Sequence, residues 1–294
     1  MLLTLFRAFV LFGLFCFGWA ACNRKPESQA GPNPTEKSKQ IVVGIAPLAT
    51  IIRELLPPAD FQVHVLLPPA ANPALFAIRT DQLVLLSKSE FYFMAGVPFE
   101  YAWQDRIQQN FPGLHIVNTG HLARTSRLVT GTHAHEDPHF WLSIIEVRRR
   151  LLPLSELLQK TWPQYKAIMQ QRLMDLDKKL EQQDHSFKQR QLQGLHLLVF
   201  HPSWSYFARD YGFHQHHLEL EGQDASITHV SRLHQLVRQN HIGRMIQQPE
   251  FPSPIAHNFA AQLRLQTISI SPMDPDWLTA LQCVADTVQD LDCK

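Results

Sequence analysis

The sequence predicts an α/β protein of two lobes, each a four-stranded, mainly parallel sheet flanked by helices. A long helix bridges the lobes, and a ligand cleft lies between them. Two observations support this prediction. Short apolar runs alternate with helical segments, as is typical of βαβ units and parallel sheets. The alternation fills residues 41–119, gives way to a helical stretch at 141–190, and resumes from 195.

The predicted N-terminal lobe covers residues 41–140. Its first strand is an apolar, β-branched run, IVVGIA, that Pro47 ends. Strands are predicted at 41–46, 61–67, 91–96 and 115–119, and helices at 48–56, 80–89 and 98–110. A loop is predicted from 120 to 139.

Residues 141–190 are predicted to link the lobes. Pro153 and Pro163 interrupt the helical pattern, so two helices or one kinked helix are expected. The C-terminal lobe, residues 191–294, is predicted to have strands at 195–200, 216–221, 244–248 and 267–271, and helices at 203–211, 227–239, 253–263 and 276–290. Ligands of open α/β sheets bind beyond the carboxyl ends of the strands, so residues that follow strands are the candidates for function.

Composition narrows the class of protein. Of 294 residues, 45% are hydrophobic and 18% charged, which indicates a globular chain and excludes a disordered one. Lys and Arg total 27 against 26 for Asp and Glu, so nothing indicates a nucleic-acid partner. Histidine is the exception, with 16 residues. Imidazole is the commonest metal ligand in proteins, so metal binding is the first hypothesis.

The first 21 residues predict a signal peptide. One positive charge, Arg7, lies in an apolar run that ends in Ala20, Ala21 and Cys22. This ending is typical of a bacterial lipoprotein signal, in which Cys22 becomes the lipidated first residue and holds the protein to a membrane. Ordinary cleavage and a retained membrane anchor are the alternatives. All three place the folded part outside the cytoplasm, in the periplasm or on the cell surface, with residues 22–40 as a flexible tether.

Cys283 and Cys293 remain in the mature chain, in an oxidising compartment. On one straight helix, residues ten apart lie about 15 Å from each other, which is too far for a disulfide. A disulfide therefore requires the helix to end before Cys293. Two unpaired cysteines are the alternative.

Three regions carry candidate metal ligands. His133, His135 and His139 lie within seven residues of each other in the predicted loop, a spacing at which imidazoles can share Zn²⁺. The alternative is a solvated polar loop. His201 directly follows the strand at 195–200, so it is placed to project into a cleft, or to bind a loop carbonyl. Asp274, after the last strand, either completes a metal site or caps a helix that starts at Pro275.

Other patterns favour structural roles. His214, His216 and His217 flank a predicted strand and are interpreted as surface residues, and His64 as a core residue. The sequence contains no HExxH, GxSxG, Walker or GxGxxG motif, so no enzyme is predicted. A zinc-dependent hydrolase is the enzymatic alternative.

Four segments together carry a family resemblance: EDPHFWL at 136–142, VFHPSWSYFARDYGF at 199–213, LEG at 220–222 and QPEFPSPIAHNFAAQLRLQTISISPM at 248–273. In this order they resemble the solute-binding proteins of bacterial zinc and manganese ABC transporters. The resemblance implies two α/β lobes that hold a metal ion between them and deliver it to a membrane permease. His201 stands where manganese relatives carry a carboxylate, which favours Zn²⁺ over Mn²⁺. A monomer without a nucleic-acid partner is expected.

The resemblance implies only part of a ligand set. His139 and His201 match family ligands, whereas Ala74 and Ser271 stand where the family has a histidine and a carboxylate. Three outcomes follow. His133 or His135, together with Asp274, replaces the lost ligands; or the site is degraded and the scaffold binds a partner; or the cleft takes another ligand.

Overall fold

The structure is a computed structural model that describes residues 38–123, 129–130, 135–219 and 226–293, with backbone alone at 129–130 and 135–136. The predicted signal peptide, Cys22, nearly all of the predicted tether and His133 lie outside the described residues. Within the described ranges, no helix has both the length and the apolar character needed to cross a membrane.

The N-terminal lobe is an all-parallel sheet of strand order β2-β1-β3-β4. Its strands are β1 (Lys39–Val43), β2 (Phe61–Val65), β3 (Phe91–Met94) and β4 (His115–Asn118), and its helices are α1 (Ala46–Leu55), α2 (Thr80–Ser87) and α3 (Pro98–Asn110). The two central strands carry the most completely buried side chains, as expected for a sheet covered on both faces. Strand β1 begins two residues before the predicted one because Lys39 and Gln40 pair in register with Phe61 and Gln62.

After this sheet, two short strands, β5 (Val129–Thr130) and β6 (His135–Glu136), pair in antiparallel fashion. Two helices follow, α4 (Ile144–Thr161) and α5 (Lys166–Lys188), separated by a 3₁₀ turn that Pro163 begins. Pro153 lies inside α4. The helical stretch is therefore two helices, and the break is at Pro163.

Helix α5 joins the lobes. Near its start, the Arg172 guanidinium donates to the carbonyl oxygen of Glu54 in α1, at 2.9 Å. Near its end, Phe187 packs edge-on against Phe207 and contacts Tyr211, both of the C-terminal lobe. Because one continuous helix packs on both lobes, it sets the distance between them.

The C-terminal lobe repeats the architecture of the first. Its strands are β7 (His196–Val199), β8 (His214–His217), β9 (Arg244–Gln247) and β10 (Gln266–Ser269), and its helices are α6 (Ser205–Tyr211), α7 (Ile227–Gln239), α8 (Pro254–Leu263) and α9 (Trp277–Val288). All pairs are parallel, in the order β10-β9-β7-β8. Counted from each lobe's first strand, this is the order of the N-terminal sheet.

Two of the boundaries that differ from prediction have a clear local cause. Strand β8 starts at His214, two residues earlier than predicted, because Gly212 caps α6 in a left-handed conformation and the chain enters the sheet at once. Helix α9 begins at Trp277 with Asp276 as its N-cap, rather than at Pro275 with Asp274 as its cap. The Asp274 carboxylate instead accepts the backbone N–H of Asp276, at 2.8 Å.

Cys283 and Cys293 form a disulfide, with their Cα atoms 4.8 Å apart. The bond is possible because α9 ends at Val288 and the chain turns back through Asp290, whose φ is 59°. The condition set by the sequence, a helix that ends before Cys293, is met.

Two groups of buried apolar side chains hold the described fold together. The larger extends from the N-terminal sheet through α4 and α5 to one face of the C-terminal sheet. The smaller lies on the other face of that sheet and includes Leu198, Leu233 and Phe259 from β7, α7 and α8. Since the larger group includes residues of both lobes, burial of apolar surface stabilises the lobes together.

Candidate metal centre

A cavity of about 640 Å³ lies where strands of both sheets end. Its walls include residues that follow β3 and β4 in the first lobe, and β7, β8 and β9 in the second. The polar side chains in its lining are Tyr101, Asn118, His121, Asp137, His139, Arg150, His201, Tyr206 and Glu219. This position matches the rule that open α/β sheets bind ligands beyond their carboxyl ends.

His139 lies on the cavity wall just before α4. Its ring Nδ1 is 2.7 Å from Asp137 Oδ1, which also accepts the His139 backbone N–H at 2.9 Å. The Asp137 backbone carbonyl in turn accepts the hydroxyl of Tyr206, at 2.9 Å. Both His139 and Asp137 are buried. The imidazole is therefore held in one orientation by a carboxylate from its own chain segment.

His201, directly after β7, is held in a similar way by neighbouring strands. Its Nδ1 is 2.7 Å from Glu219 Oε2. The side-chain amide of Gln248 accepts the His201 backbone N–H at 3.2 Å and donates to its carbonyl at 2.6 Å. Phe251 stacks on the ring, with centroids 4.2 Å apart. Both the backbone and the ring of His201 are thus oriented.

The two imidazoles lie next to each other in the cavity lining, edge to face, with ring centroids 5.4 Å apart. An ionised carboxylate can only accept a hydrogen bond, so each Nδ1 is the donor, and the Nε2 of a neutral ring in this tautomer presents a lone pair. Carboxylate–histidine pairs of this kind orient metal ligands and raise their basicity. The chemistry of this donor set suits a borderline cation such as Zn²⁺.

The other residues considered from sequence are not all brought to this cavity. Asp274 is absent from its lining. Ser271 is also absent, and its hydroxyl donates to Glu250. Ala74 lies in the wall without a donor atom. His133 is outside the described residues, and of His135 only the backbone is described, in β6.

Within the described ranges, no three His, Cys, Asp or Glu side chains lie close enough together to hold an ion. The two imidazoles are the paired donors of the cavity, and each is supported by a carboxylate.

Three of the lining residues that sequence reasoning missed are His121, Arg150 and Glu219. His121 follows β4 and Glu219 follows β8, so the rule of examining residues after strands could have found both. Glu219 was hidden because the predicted strand ran to residue 221. Nothing in the sequence distinguishes Arg150 as a cavity residue, because it is one of three consecutive arginines in a predicted helix.

Arg150 belongs to an ionic network beneath the cavity. Its Nη1 binds Glu146 Oε2 at 2.8 Å, and its Nη2 donates to the Gly120 carbonyl at 3.0 Å. The other oxygen of Glu146 accepts from Arg209 of α6, at 2.8 Å. The buried Glu146 carboxylate therefore joins an arginine that contacts the first lobe to one in the second.

The histidines of β8 are not among the residues that line the cavity. His216 packs on His196 of β7, with Nδ1 of His196 2.9 Å from Nε2 of His216, and His214 lies against His196 with ring centroids 5.1 Å apart. Burial, followed by the neighbouring imidazoles, lowers the pKa of His216 to about 4. His214 is exposed, as predicted, while His216 is partly buried.

Comparison with known proteins identifies the family. The family model described as ZnuA, zinc-uptake complex component A, periplasmic, matches residues 41–290. The chain belongs to this family.

Solved structures agree with the ZnuA family fold. A crystal structure of ZnuA is 25% identical, covers 87% of this chain and 99% of its own, and has a TM-score of 0.80. The periplasmic zinc-binding protein TroA from Treponema pallidum is 16% identical, with coverages of 86% and 98% and a TM-score of 0.76. The protein FpvC from Pseudomonas aeruginosa, in complex with Mn²⁺, is 15% identical, with coverages of 86% and 99% and a TM-score of 0.71.

Membership of the ZnuA family confirms the predicted class. The chain is a periplasmic metal-binding component of an ABC uptake system, which delivers metal to a permease, and is not an enzyme. The predicted bilobal α/β fold is confirmed as well. Zinc and manganese are both metals of such proteins, as in a zinc-bound ZnuA deletion mutant and in FpvC with Mn²⁺.

Proposed function

We propose that this chain captures Zn²⁺ between its lobes, with His139 and His201 as the central ligands. The observation that carries the proposal is the pair of imidazoles 5.4 Å apart, each with its Nδ1 bound to a carboxylate. Two imidazoles without a carboxylate ligand favour zinc, whereas carboxylate-rich sites suit manganese. Asp137 and Glu219 hold the rings and are not counted as ligands.

Two ligands leave coordination positions open, because structural zinc sites have four protein ligands and open sites have three. His133 and His135 are the candidates considered from sequence to supply a further imidazole. Asp274 is the weaker candidate, because its carboxylate is engaged at the start of α9. Binding of the ion stabilises a closed arrangement of the lobes by its higher affinity for that arrangement.

The finer localisation is part of the same proposal. Residues 1–21 are a signal peptide, Cys22 carries a lipid anchor, and residues 23–40 tether a monomeric carrier to the membrane. The protein then remains next to its permease without a spanning segment of its own. Replacement Cys22→Ser should abolish incorporation of radiolabelled palmitate into the protein; incorporation equal to that of the unsubstituted chain would contradict a lipid at this residue.

The deciding experiment is calorimetric titration of chelator-stripped protein with Zn²⁺, with Mn²⁺ as the competing cation. We expect one tight zinc site per chain and weaker manganese binding. His139→Ala and His201→Ala should each weaken zinc binding by roughly 100-fold, because each removes one of few ligands. His257→Ala, which removes an exposed imidazole of α8, is the matched control.

Two results of this titration would contradict the proposal. A folded chain that shows no stoichiometric heat with zinc would mean that the family fold serves another ligand or a partner. Equal binding by the unsubstituted chain and a double His139→Ala, His201→Ala variant would place the site elsewhere.

Acidification supplies a second test of the ligand chemistry. A proton and the metal ion compete for the same Nε2 lone pair, so zinc affinity should fall as the pH is lowered from 7.5 to 5.5. Affinity that does not change over this interval would argue against imidazole ligation.

A further inference from the structure

The side chains of the cavity that could bind a metal ion come mainly from the C-terminal lobe and from the segment just before α4. His201 and Glu219 come from the C-terminal lobe, and Asp137 and His139 come from the segment just before α4. The part of the N-terminal lobe that precedes this segment contributes Pro73, Ala74, Ala95, Gly96, Val97, Pro98, Tyr101, Asn118, Gly120 and His121. His121 is the one imidazole, thiol or carboxylate among these described lining residues.

The carboxylates of the cavity are already in use. Asp137 Oδ1 and Glu219 Oε2 each lie 2.7 Å from a histidine Nδ1. If either carboxylate turned to the ion, the imidazole that it orients would be released. A third ligand is therefore better supplied by a side chain without such a role.

The backbone that carries His121 is firmly held. It lies in a 3₁₀ turn, Thr119–Leu122, that directly follows β4. The Thr119 hydroxyl donates to the Met94 carbonyl at 2.6 Å, and the Gly120 carbonyl accepts from Arg150 at 3.0 Å. The His121 side chain itself is exposed. A fixed backbone with an exposed imidazole lets the ring turn without disturbing the fold.

The same turn lies beside the His139 segment. A Cβ atom placed on Gly120 would be 3.9 Å from Cδ1 of Phe140, the residue after His139. The guanidinium of Arg150, which binds the turn, also stacks over the Phe140 ring at 4.5 Å. Residue 121 is thus anchored next to the residue that follows a proposed ligand.

We propose that His121, in the turn that follows β4, is the third imidazole ligand of the captured ion. This inference rests on the proposed function and specifies its ligand set. No group of three such side chains is already assembled among the described residues, so the ring of His121 moves onto the ion as it binds. With His139 and His201 it completes the three-ligand arrangement of an open zinc site.

The first test is zinc titration of full-length, chelator-stripped His121→Ala. We expect a loss of at least tenfold in affinity. The control is His115→Ala, which removes an exposed imidazole on β4 that does not line the cavity. His133→Ala and His135→Ala are measured in parallel, because these imidazoles compete for the same role. Both should retain affinity within about threefold.

The second test separates ligation from a structural role. His121→Cys is loaded with Co²⁺, which reports a bound thiolate by a charge-transfer band in the near ultraviolet. The unsubstituted chain, with the same native cysteines, gives the baseline. The new band is expected only in the variant, since a thiolate in place of a ligating imidazole must bind the metal directly.

The outcomes are distinct. Unchanged zinc affinity of His121→Ala, or no new band in His121→Cys, in a chain that binds the ion would overturn the role of His121 and leave zinc capture standing. A loss confined to His133→Ala or His135→Ala would assign the third ligand to the loop. Absence of zinc binding by the unsubstituted chain would overturn both proposals.

Discussion

The two lobes have the same strand order. They differ in the residues that follow the two central strands of each sheet, which is where the order of the strands changes direction. In the first lobe, the central strands β1 and β3 lead into Gly44 and the backbone of Ala95–Val97. In the second lobe, β7 and β9 lead into His201 and Gln248. At this place the first lobe presents backbone groups, and the second lobe presents the oriented imidazole of His201. Residue choice at the strand ends, rather than the fold, decides which lobe presents an imidazole at this point.

The first lobe uses its buried acid to hold backbone. Glu100 accepts the N–H groups of Ala95, Gly96 and Val97, at 3.1, 2.6 and 2.9 Å. Even with these three donors, burial raises the pKa of Glu100 to about 7. Gly44 is required beside it, because a Cβ there would lie 1.6 Å from Glu100 Oε1. This carboxylate is therefore committed to structure.

In the second lobe, a neutral side-chain amide holds the backbone that follows strand β7. Gln248 is fully buried and exchanges two hydrogen bonds with His201. A neutral side chain costs less to bury than a charged one. Glu219 of this lobe orients the ring of His201 instead of holding backbone N–H groups.

The largest expected effect tests the structural acid. Glu100→Ala should lower the free energy of unfolding by about 3 kcal/mol, because it leaves three N–H groups, two of them on buried residues, without their acceptor. Urea denaturation measures the change. Glu156→Ala, at an exposed position of α4, should change stability by less than about 0.5 kcal/mol. If the two variants are equally stable, Glu100 does not have the structural role assigned to it in the N-terminal lobe.

A smaller effect tests the acid that serves the ligand. Glu219→Gln keeps an acceptor for the Nδ1 proton but removes the charge, so zinc affinity should fall about tenfold. Calorimetry at pH 7.5 measures it, with Asp137→Asn as the corresponding change at His139. Unaltered affinity in both variants would show that the carboxylates do not tune the ligands.

The smallest effect concerns the imidazoles of β7 and β8. The pKa of folded His216 is about 4, below the ordinary value of 6.5, because of burial, the imidazoles of His196, His214 and His217, and the guanidinium of Arg232 on α7. The unfolded chain therefore binds more protons between pH 6.5 and 4, and stability falls as the pH falls through that window. Allowing for solvent screening at this partly exposed group, we expect a loss of about 1 kcal/mol.

His216→Gln should remove this part of the acid sensitivity, whereas His257→Gln on α8 should not. Unfolding free energies at pH 7.5 and 4.5 provide the comparison. The same pH dependence in the His216→Gln protein as in the unsubstituted chain would exclude His216 as its source.

Several elements could be predicted from local signals. Helices α3 and α7 match their predicted bounds at both ends, since Pro98 occupies the first helical position of one and Ser226 caps the other. His201 was selected because it follows a strand, and the structure brings it to His139, 62 residues away, by separate chain segments. Strand β8 was misplaced because alternation in HHLELE indicated a strand without indicating which residues pair with β7.

The sequence alone determined the class of fold, since the alternation of strand and helix depends on local periodicity and on capping residues. It also pointed to His139 and His201 through their positions beside predicted elements. Only the tertiary structure decided which side chains share the cavity: Glu219 beside His201, His121 on the opposite lobe, and Asp274 away from both. Those choices depend on strand order and on packing across the lobes, and no local pattern of residues encodes the distance between segments far apart in the chain.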